Sequence, residues 1–299
     1  MAIAHEFDYA KPATLAQALE LLNTHQTKAK ILAGGTDLIV NIKEGMCSPS
    51  LLIDIKDLGE LCEIKQEAGY ICIGAGISFS QILDSELIKQ NLPMLWDAAA
   101  TVASSGIRNR ATLAGNIISA VPSLDSGPAL LCHEAIVRCA STDGYRDIEI
   151  CEWFKAPRKS ALKDNEVLTQ IRIPNPPANS TGIYLKLGRY NGEDLAQAGW
   201  GIWISRDYQY RIAHCALAPT PKRVPAIEEL LKGKDVDEHL INKALELVES
   251  SIIPITDIRS SREYRIHVSR VMLRRGLKAA RDRLNGKAVD PRTLLGGFA

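Results

Sequence analysis

The chain has 299 residues, 46% apolar and 24% charged, the balance of a soluble globular protein with a substantial core and about two domains of ~150 residues. Its 36 Lys and Arg against 35 Asp and Glu leave a net charge of +1, which argues against a broad nucleic-acid-binding face. No apolar run approaches the ~18–20 residues of a membrane span, and Met1-Ala2-Ile3-Ala4-His5-Glu6-Phe7-Asp8 lacks the basic and apolar stretches of a signal peptide, so a cytoplasmic location is expected.

Thr14 and Gln17 have the spacing of a capping box, opening a helix with Leu15, Ala18, Leu19 and Leu22 on one face. Residues 30–33 read as a buried strand running into Gly34-Gly35, after which Leu38, Ile39 and Ile42 have helical spacing. Residues 51–55 and 70–73 are further strands. Ser78 and Gln81 form a second capping box, opening a helix to about residue 88, and residues 93–102 are helical. Asp125 is placed to cap a short helix through Pro128-Ala129-Leu130-Leu131. Residues 135–140 and 145–150 flank Thr142-Asp143-Gly144 and read as a hairpin. A strand over 167–173 ends at Pro174.

Pro174, Pro176 and Pro177 interrupt helix and sheet alike, which places a domain junction between 174 and 180. Beyond it come strands at 183–187, 198–204 and 211–218, then helices at about 226–231, 238–250 and 262–284. Strands first and helices second predict an α+β unit with an antiparallel sheet.

The chemistry concentrates in two glycine-bearing stretches. Ile31-Leu32-Ala33-Gly34-Gly35-Thr36-Asp37-Leu38 has strand, turn, helix order, which aims main-chain N–H groups at an anion. Asp37 is placed to cap the helix that follows. Thr112-Leu113-Ala114-Gly115-Asn116-Ile117-Ile118, followed by Asp125 and Pro128, repeats the theme. Two such loops could grip a diphosphate from both sides; an ordinary tight turn is the alternative for each. Neither is a P-loop, because the lysine and Ser/Thr of that motif are missing. Gly74-Ala75-Gly76-Ile77-Ser78-Phe79 imitates a dinucleotide fingerprint, but Phe79 fills the third glycine position, so a turn into the Ser78-capped helix is expected.

Other sites are not signalled. The seven cysteines (Cys47, Cys62, Cys72, Cys132, Cys139, Cys151, Cys215) contain no C-x-x-C pair and read as reduced thiols. His5, His25, His133, His214, His239 and His267 have no ligand spacing, and Gly-x-Ser-x-Gly is absent. Between Arg259 and Arg283 nine cationic residues face two anionic ones; a solvated helix face, a docking surface for an acidic partner and, least, a nucleic-acid contact fit.

Together these segments resemble the FAD-binding subunit of the molybdenum hydroxylases, the xanthine dehydrogenase and carbon monoxide dehydrogenase flavoprotein family. The resemblance covers almost the whole chain. It rests on Ala33-Gly34-Gly35-Thr36-Asp37-Leu38, on Ile107-Arg108-Asn109-Arg110-Ala111-Thr112-Leu113-Ala114-Gly115-Asn116-Ile117, and on Ser123-Leu124-Asp125-Ser126-Gly127-Pro128-Ala129-Leu130. Later blocks are Glu193-Asp194-Leu195-Ala196, Ala218-Pro219-Thr220-Pro221-Lys222-Arg223 and Ser261-Arg262-Glu263-Tyr264-Arg265. The sequence departs from the family pattern at Ala114, where the family has the first glycine of Gly-Gly-Asn, and at Gly106, where a glutamine is common.

The resemblance implies a PCMH-type (p-cresol methylhydroxylase-like) FAD-binding domain of two α/β lobes over residues 1–176. A CO dehydrogenase flavoprotein C-terminal-like domain of antiparallel sheet and helices over 177–285 and a tail over 286–299 complete the chain. It implies that residues 31–38 wrap the diphosphate and adjoining flavin, that Thr112, Gly115, Asn116 and Ile118 bind from the other lobe, and that Asp125 bonds the ribityl or phosphate region. Leu168, Lys186 and Leu195 would line the flavin. No residue of this chain would act as acid, base or nucleophile. Electrons would come from [2Fe–2S] clusters in a small subunit and a molybdopterin centre in a large one, in a dimer of heterotrimers. NAD+ is the family's usual acceptor, although no NAD motif is present. A stand-alone FAD oxidase or dehydrogenase and a flavin-free assembly factor remain alternatives, and the substrate is not named by the sequence.

Overall fold

The computed structural model describes residues 5–190 and 193–295. Among the described residues, four sheets organise the chain. Asp8–Ala10, Leu51–Asp54 and Ala29–Leu32 form a three-stranded parallel sheet with Leu51–Asp54 in the centre. The helix Leu15–His25 covers it, burying Leu15, Ala18, Leu19 and Leu22 as the sequence spacing requires. Thr14 Oγ1 accepts from Gln17 N–H at 3.3 Å, but Gln17 Oε1 returns to the Ala13 N–H at 2.9 Å, so the expected capping box is displaced by one residue on that side.

A five-stranded antiparallel sheet follows, in the order Ile64–Glu67, Tyr70–Gly74, Val167–Pro174, Ile136–Ser141, Gly144–Glu149. The hairpin Ile136–Glu149 turns at Thr142-Asp143, with Gly144 at φ +120 closing it. Phe154–Ala156 and Lys159–Ser160 form a separate two-stranded ribbon. Ser78 makes a full capping box with Gln81, yet the helix it opens, Phe79–Asp84, stops short of residue 88. Ser85 closes that helix and caps the next, Glu86–Asn91, by accepting from Ile88 N–H at 3.4 Å.

The third unit is a four-stranded antiparallel sheet, Ser180–Leu187, Ala198–Ser205, Tyr210–Cys215, Lys222–Arg223. Its two faces pack differently, because side chains alternate along each strand. Ile183, Leu185, Trp200 and Ile202 join one core with the helices Pro225–Leu231, Glu238–Glu246 and Arg262–Leu284. Tyr184, Trp203, Ala213 and Cys215 face the other way, into the core that holds the helices Pro93–Ala100 and Ser126–Cys132. The two halves of the chain therefore share a buried boundary. Asp97 and Arg283 pair across it at 2.7 Å, and Arg283 also donates to the Gly182 and Val289 carbonyls.

The cationic stretch ending in the helix Arg262–Leu284 is neither a solvated face nor an open docking surface throughout. Arg265 is 2% exposed and donates to the carbonyls of Gln197 and Ala216 and to Asp257. Arg270, Arg274 and Arg281 pair with Glu249, Glu238 and Asp235. The chain beyond the helix folds back through at least Leu295, with the Arg275 guanidinium donating to the Leu294 carbonyl at 2.6 Å. The end of the tail, 296–299, lies outside the described residues. Among the described residues no helix is long and apolar enough to cross a membrane.

Candidate functional site

The first glycine loop connects the strand Ala29–Leu32 to the helix Leu38–Lys43. Gly35 has φ +77, a left-handed conformation that a side chain disfavours. Gly34 is required by contact instead: a Cβ there would stand 2.1 Å from the Arg110 carbonyl oxygen and 2.9 Å from Ala111 Cα. The first loop thus rests directly on the backbone leading into the second. Among the described residues, the N–H groups of Gly34, Gly35, Thr36 and Asp37 donate to no protein acceptor. Residues 31–36 and Leu38 are half-buried, and Asp37 is exposed. Four neighbouring donors without acceptors, on backbone held in place by packing, form a cradle suited to a diphosphate.

The second loop is built differently. Its helix, Leu113–Ser119, is capped by Thr112, whose Oγ1 accepts from Gly115 N–H at 2.9 Å. Leu113 N–H donates to Ile77 O and Asn116 N–H to Thr112 O. The N–H groups expected to meet a phosphate from this side are mostly spent inside the protein. What remains is side chain: Asn116 Oδ1 accepts from Ser126 Oγ at 2.6 Å, while its NH2 group has no acceptor among the described residues. Thr112 is buried and Ile118 half-buried. Ala114 lies in the core. The methyl group that distinguishes it from glycine therefore faces protein and does not obstruct the cradle.

The two acidic residues expected to cap helices do not. Asp37 occupies the cap position of Leu38–Lys43 without bonding it; its carboxylate accepts from Ser119 Oγ at 2.5 Å and so ties the first loop to the far end of the second helix. Asp125 precedes the helix Ser126–Cys132, again without a side-chain cap. Its Oδ1 accepts from the Tyr184 hydroxyl at 2.8 Å and its Oδ2 from Lys186 Nζ at 2.9 Å. Lys186 Nζ also donates to the Thr101 carbonyl at 2.8 Å. In both cases a partner distant in sequence outcompetes the local N–H groups.

Asp125, Tyr184 and Lys186 are enclosed, with the Asp125 and Lys186 side chains 9% and 8% exposed. Burial pushes the Asp125 carboxyl pKa upward, and the Lys186 ammonium and Tyr184 hydroxyl oppose that shift. The Tyr184 hydroxyl is held well above its ordinary value, first by burial and then by the Asp125 charge. Tyr184 was not singled out by the sequence, although its position two residues before Lys186 on a strand puts both on one face.

Leu168 is 2% exposed, at a bulge in the strand Val167–Pro174, which runs against the second helix. Leu195 is 48% exposed and follows Asp194, which pairs with Arg189. Gln197 N–H donates to Leu187 O, which brings this segment back beside the Lys186 end of the sheet. The structure thus joins the first loop to the second helix through Asp37 and Ser119, that helix to Ser126 through Asn116, and the adjoining Asp125 to Lys186. Leu168 is core, and Leu195 stands at the margin.

The imitation fingerprint at Gly74 has another use. A Cβ on Gly74 would lie 2.2 Å from Leu61 O, and one on Gly76 would lie 2.7 Å from Cys62 Sγ. Their N–H groups donate to Glu63 O and Leu61 O, so this turn holds no open cradle.

Residues 5–176 match the family model described as the FAD binding domain in molybdopterin dehydrogenase, and residues 184–280 match the CO dehydrogenase flavoprotein C-terminal domain. The carbon monoxide dehydrogenase medium chain of Afipia carboxidovorans is 30% identical, covering 94% of this chain and 99% of that one. The xanthine dehydrogenase FAD-binding subunit of Escherichia coli is 29% identical with the same coverage. Among solved structures, carbon monoxide dehydrogenase from Hydrogenophaga pseudoflava superposes with a TM-score of 0.90 at 30% identity, covering 94% of this chain and 99% of that chain. Quinoline 2-oxidoreductase from Pseudomonas putida gives 0.88 at 26%, covering 96% and 99%.

Proposed function

The chain belongs to the FAD-binding medium subunits of the molybdenum hydroxylases, and from that premise we propose that it relays electrons from [2Fe–2S] clusters of a small subunit, through FAD, to NAD+ or another acceptor. A large subunit would hold the molybdenum centre and the substrate, in a dimer of heterotrimers located in the cytoplasm. Residues 1–176 would form the FAD domain, 177–285 the C-terminal domain and 286–299 the tail. Bound flavin supplies the redox chemistry, taking up single electrons and releasing a hydride-equivalent pair.

The observation that carries this reading is the cradle of four unspent N–H groups on Gly34, Gly35, Thr36 and Asp37. A diphosphate there would receive main-chain hydrogen bonds from four adjacent donors. In this reading Ile31, Leu32, Ala33 and Leu38 shield the cofactor's apolar surface. Thr112 and Gly115 set the second helix, and Asn116 offers its amide. Ile118 and Leu195 add apolar contact, and Leu168 backs the second helix from the core. Asp125 accepts from a hydroxyl of the ribityl chain, and the Lys186 ammonium holds that carboxyl group in place.

The test is purification of the full chain from cells that express it with its neighbouring subunits. About one flavin per chain, together with co-purifying iron–sulfur and molybdenum subunits, is expected. A flavin-loaded lone chain that oxidises a small substrate by itself would overturn the relay role.

A further inference from the structure

We propose that Tyr184 is a positioning residue for the cofactor site, acting through Asp125; this rests on the reading that the chain binds FAD beside Asp125. The Tyr184 side chain is fully buried and its hydroxyl donates to Asp125 Oδ1, opposite the Lys186 ammonium on Oδ2. One donor on each oxygen fixes the carboxylate plane. Each oxygen keeps lone-pair capacity for one further donor.

The sheet is built around this hydroxyl. Gly199 lies on the neighbouring strand, and a Cβ there would stand 2.5 Å from the Tyr184 oxygen and 2.5 Å from Cys215 Sγ. Glycine is therefore what lets the phenol and the thiol occupy one place, 3.4 Å apart. Ring burial alone would be served by phenylalanine. The hydroxyl brings a buried polar atom that is satisfied by Asp125 and Cys215, and Asp125 in turn abandons its local helix for it. The second half of the chain thus contributes both Tyr184 and Lys186 to orienting a residue of the first half. Without the hydroxyl, the carboxylate would keep Lys186 but be free to swing about it.

The experiment is FAD titration into the flavin-depleted full chain, followed by flavin fluorescence, for wild type, Tyr184→Phe, Asp125→Asn and the double variant. A carboxylate no longer held by the phenol must be re-ordered when FAD binds, which predicts about tenfold weaker FAD binding in Tyr184→Phe. In the Asp125→Asn background the same change is expected to have no further effect, because its route is gone. The midpoint potential of bound flavin should shift in Tyr184→Phe, a readout that mere packing damage would leave alone. Unaltered affinity in Tyr184→Phe, or an equal loss with Asn at 125, would overturn the proposal. Should the Phe chain fail to fold, 4-aminophenylalanine at 184 retains a donor in the same volume. Near-native affinity is then expected, and a folded chain that has lost FAD would refute the role. If wild type takes up no FAD, the cofactor reading itself fails, which is a distinct result.

Discussion

The Gly34 main chain lies so close to the Arg110 carbonyl that a β-carbon would approach that oxygen to 2.1 Å. This contact, between residues of the two glycine-bearing stretches, sets the geometry of everything around it. It brings the N–H-rich loop against the entry to the second helix. Asp37 and Ser119 then fasten the other end at 2.5 Å.

Gly34→Ala should force the two loops apart. Overpacking of this kind costs about 1–3 kcal/mol. Thermal unfolding of the flavin-depleted chain should show the loss, and flavin content should fall with it. Gly35→Ala meets a different obstacle, its φ of +77, and should cost roughly 1–2 kcal/mol. Native flavin content in both variants would count against the cradle.

Ala114 should not be a defect. It is buried within the helix Leu113–Ser119, where alanine is favoured over glycine by about 1 kcal/mol. Restoring the family glycine by Ala114→Gly is expected to lower the melting temperature without tightening FAD binding. A gain in affinity would show that the methyl group obstructs the cofactor.

The Asp97–Arg283 pair should behave as a buried latch between the two halves. Burial pushes the Asp97 carboxyl pKa upward, and Arg283 opposes it. Arg283→Met strands that carboxylate and should destabilise the chain by about 3–5 kcal/mol in urea unfolding. Adding Asp97→Asn should recover part of the loss, giving a clear coupling in the double-mutant cycle. Additive effects would deny the latch.

His214 should make the fold sensitive to mild acid. It is buried edge-on to Trp200, with ring centroids 5.7 Å apart, and burial lowers its pKa to about 4. An unfolded histidine titrates near 6.5. Between those values the unfolded chain binds more protons, so stability falls as pH drops from 6.5 toward 4. The full contribution is on the order of 3 kcal/mol. His214→Gln should flatten this part of the pH–stability curve relative to wild type, as measured by urea unfolding at a series of pH values. Parallel curves would contradict the assignment.

Much of this was legible in sequence because local rules and tertiary packing agreed. The strand and helix flanking Gly34-Gly35, the hairpin around Asp143 and the strand ending at Pro174 all fall where periodicity and turn chemistry put them. Asp37 and Asp125 stand in the sequence context of caps, and only distant partners draw them away. Arg265 and Arg283 were indistinguishable from their solvated neighbours in a cationic stretch. Their carbonyl and carboxylate partners come from other elements. Tyr184 carries no motif, and its role appears only when the strand is set against Asp125.

The most direct measurement is a crystal structure of the full chain, within its subunit complex, with FAD bound. The diphosphate is expected within hydrogen-bond reach of the N–H groups of Gly34, Gly35, Thr36 and Asp37, with Asn116 and Asp125 on the opposite side. A diphosphate seated at the Gly74-x-Gly76 turn, or away from both glycine loops, would contradict it.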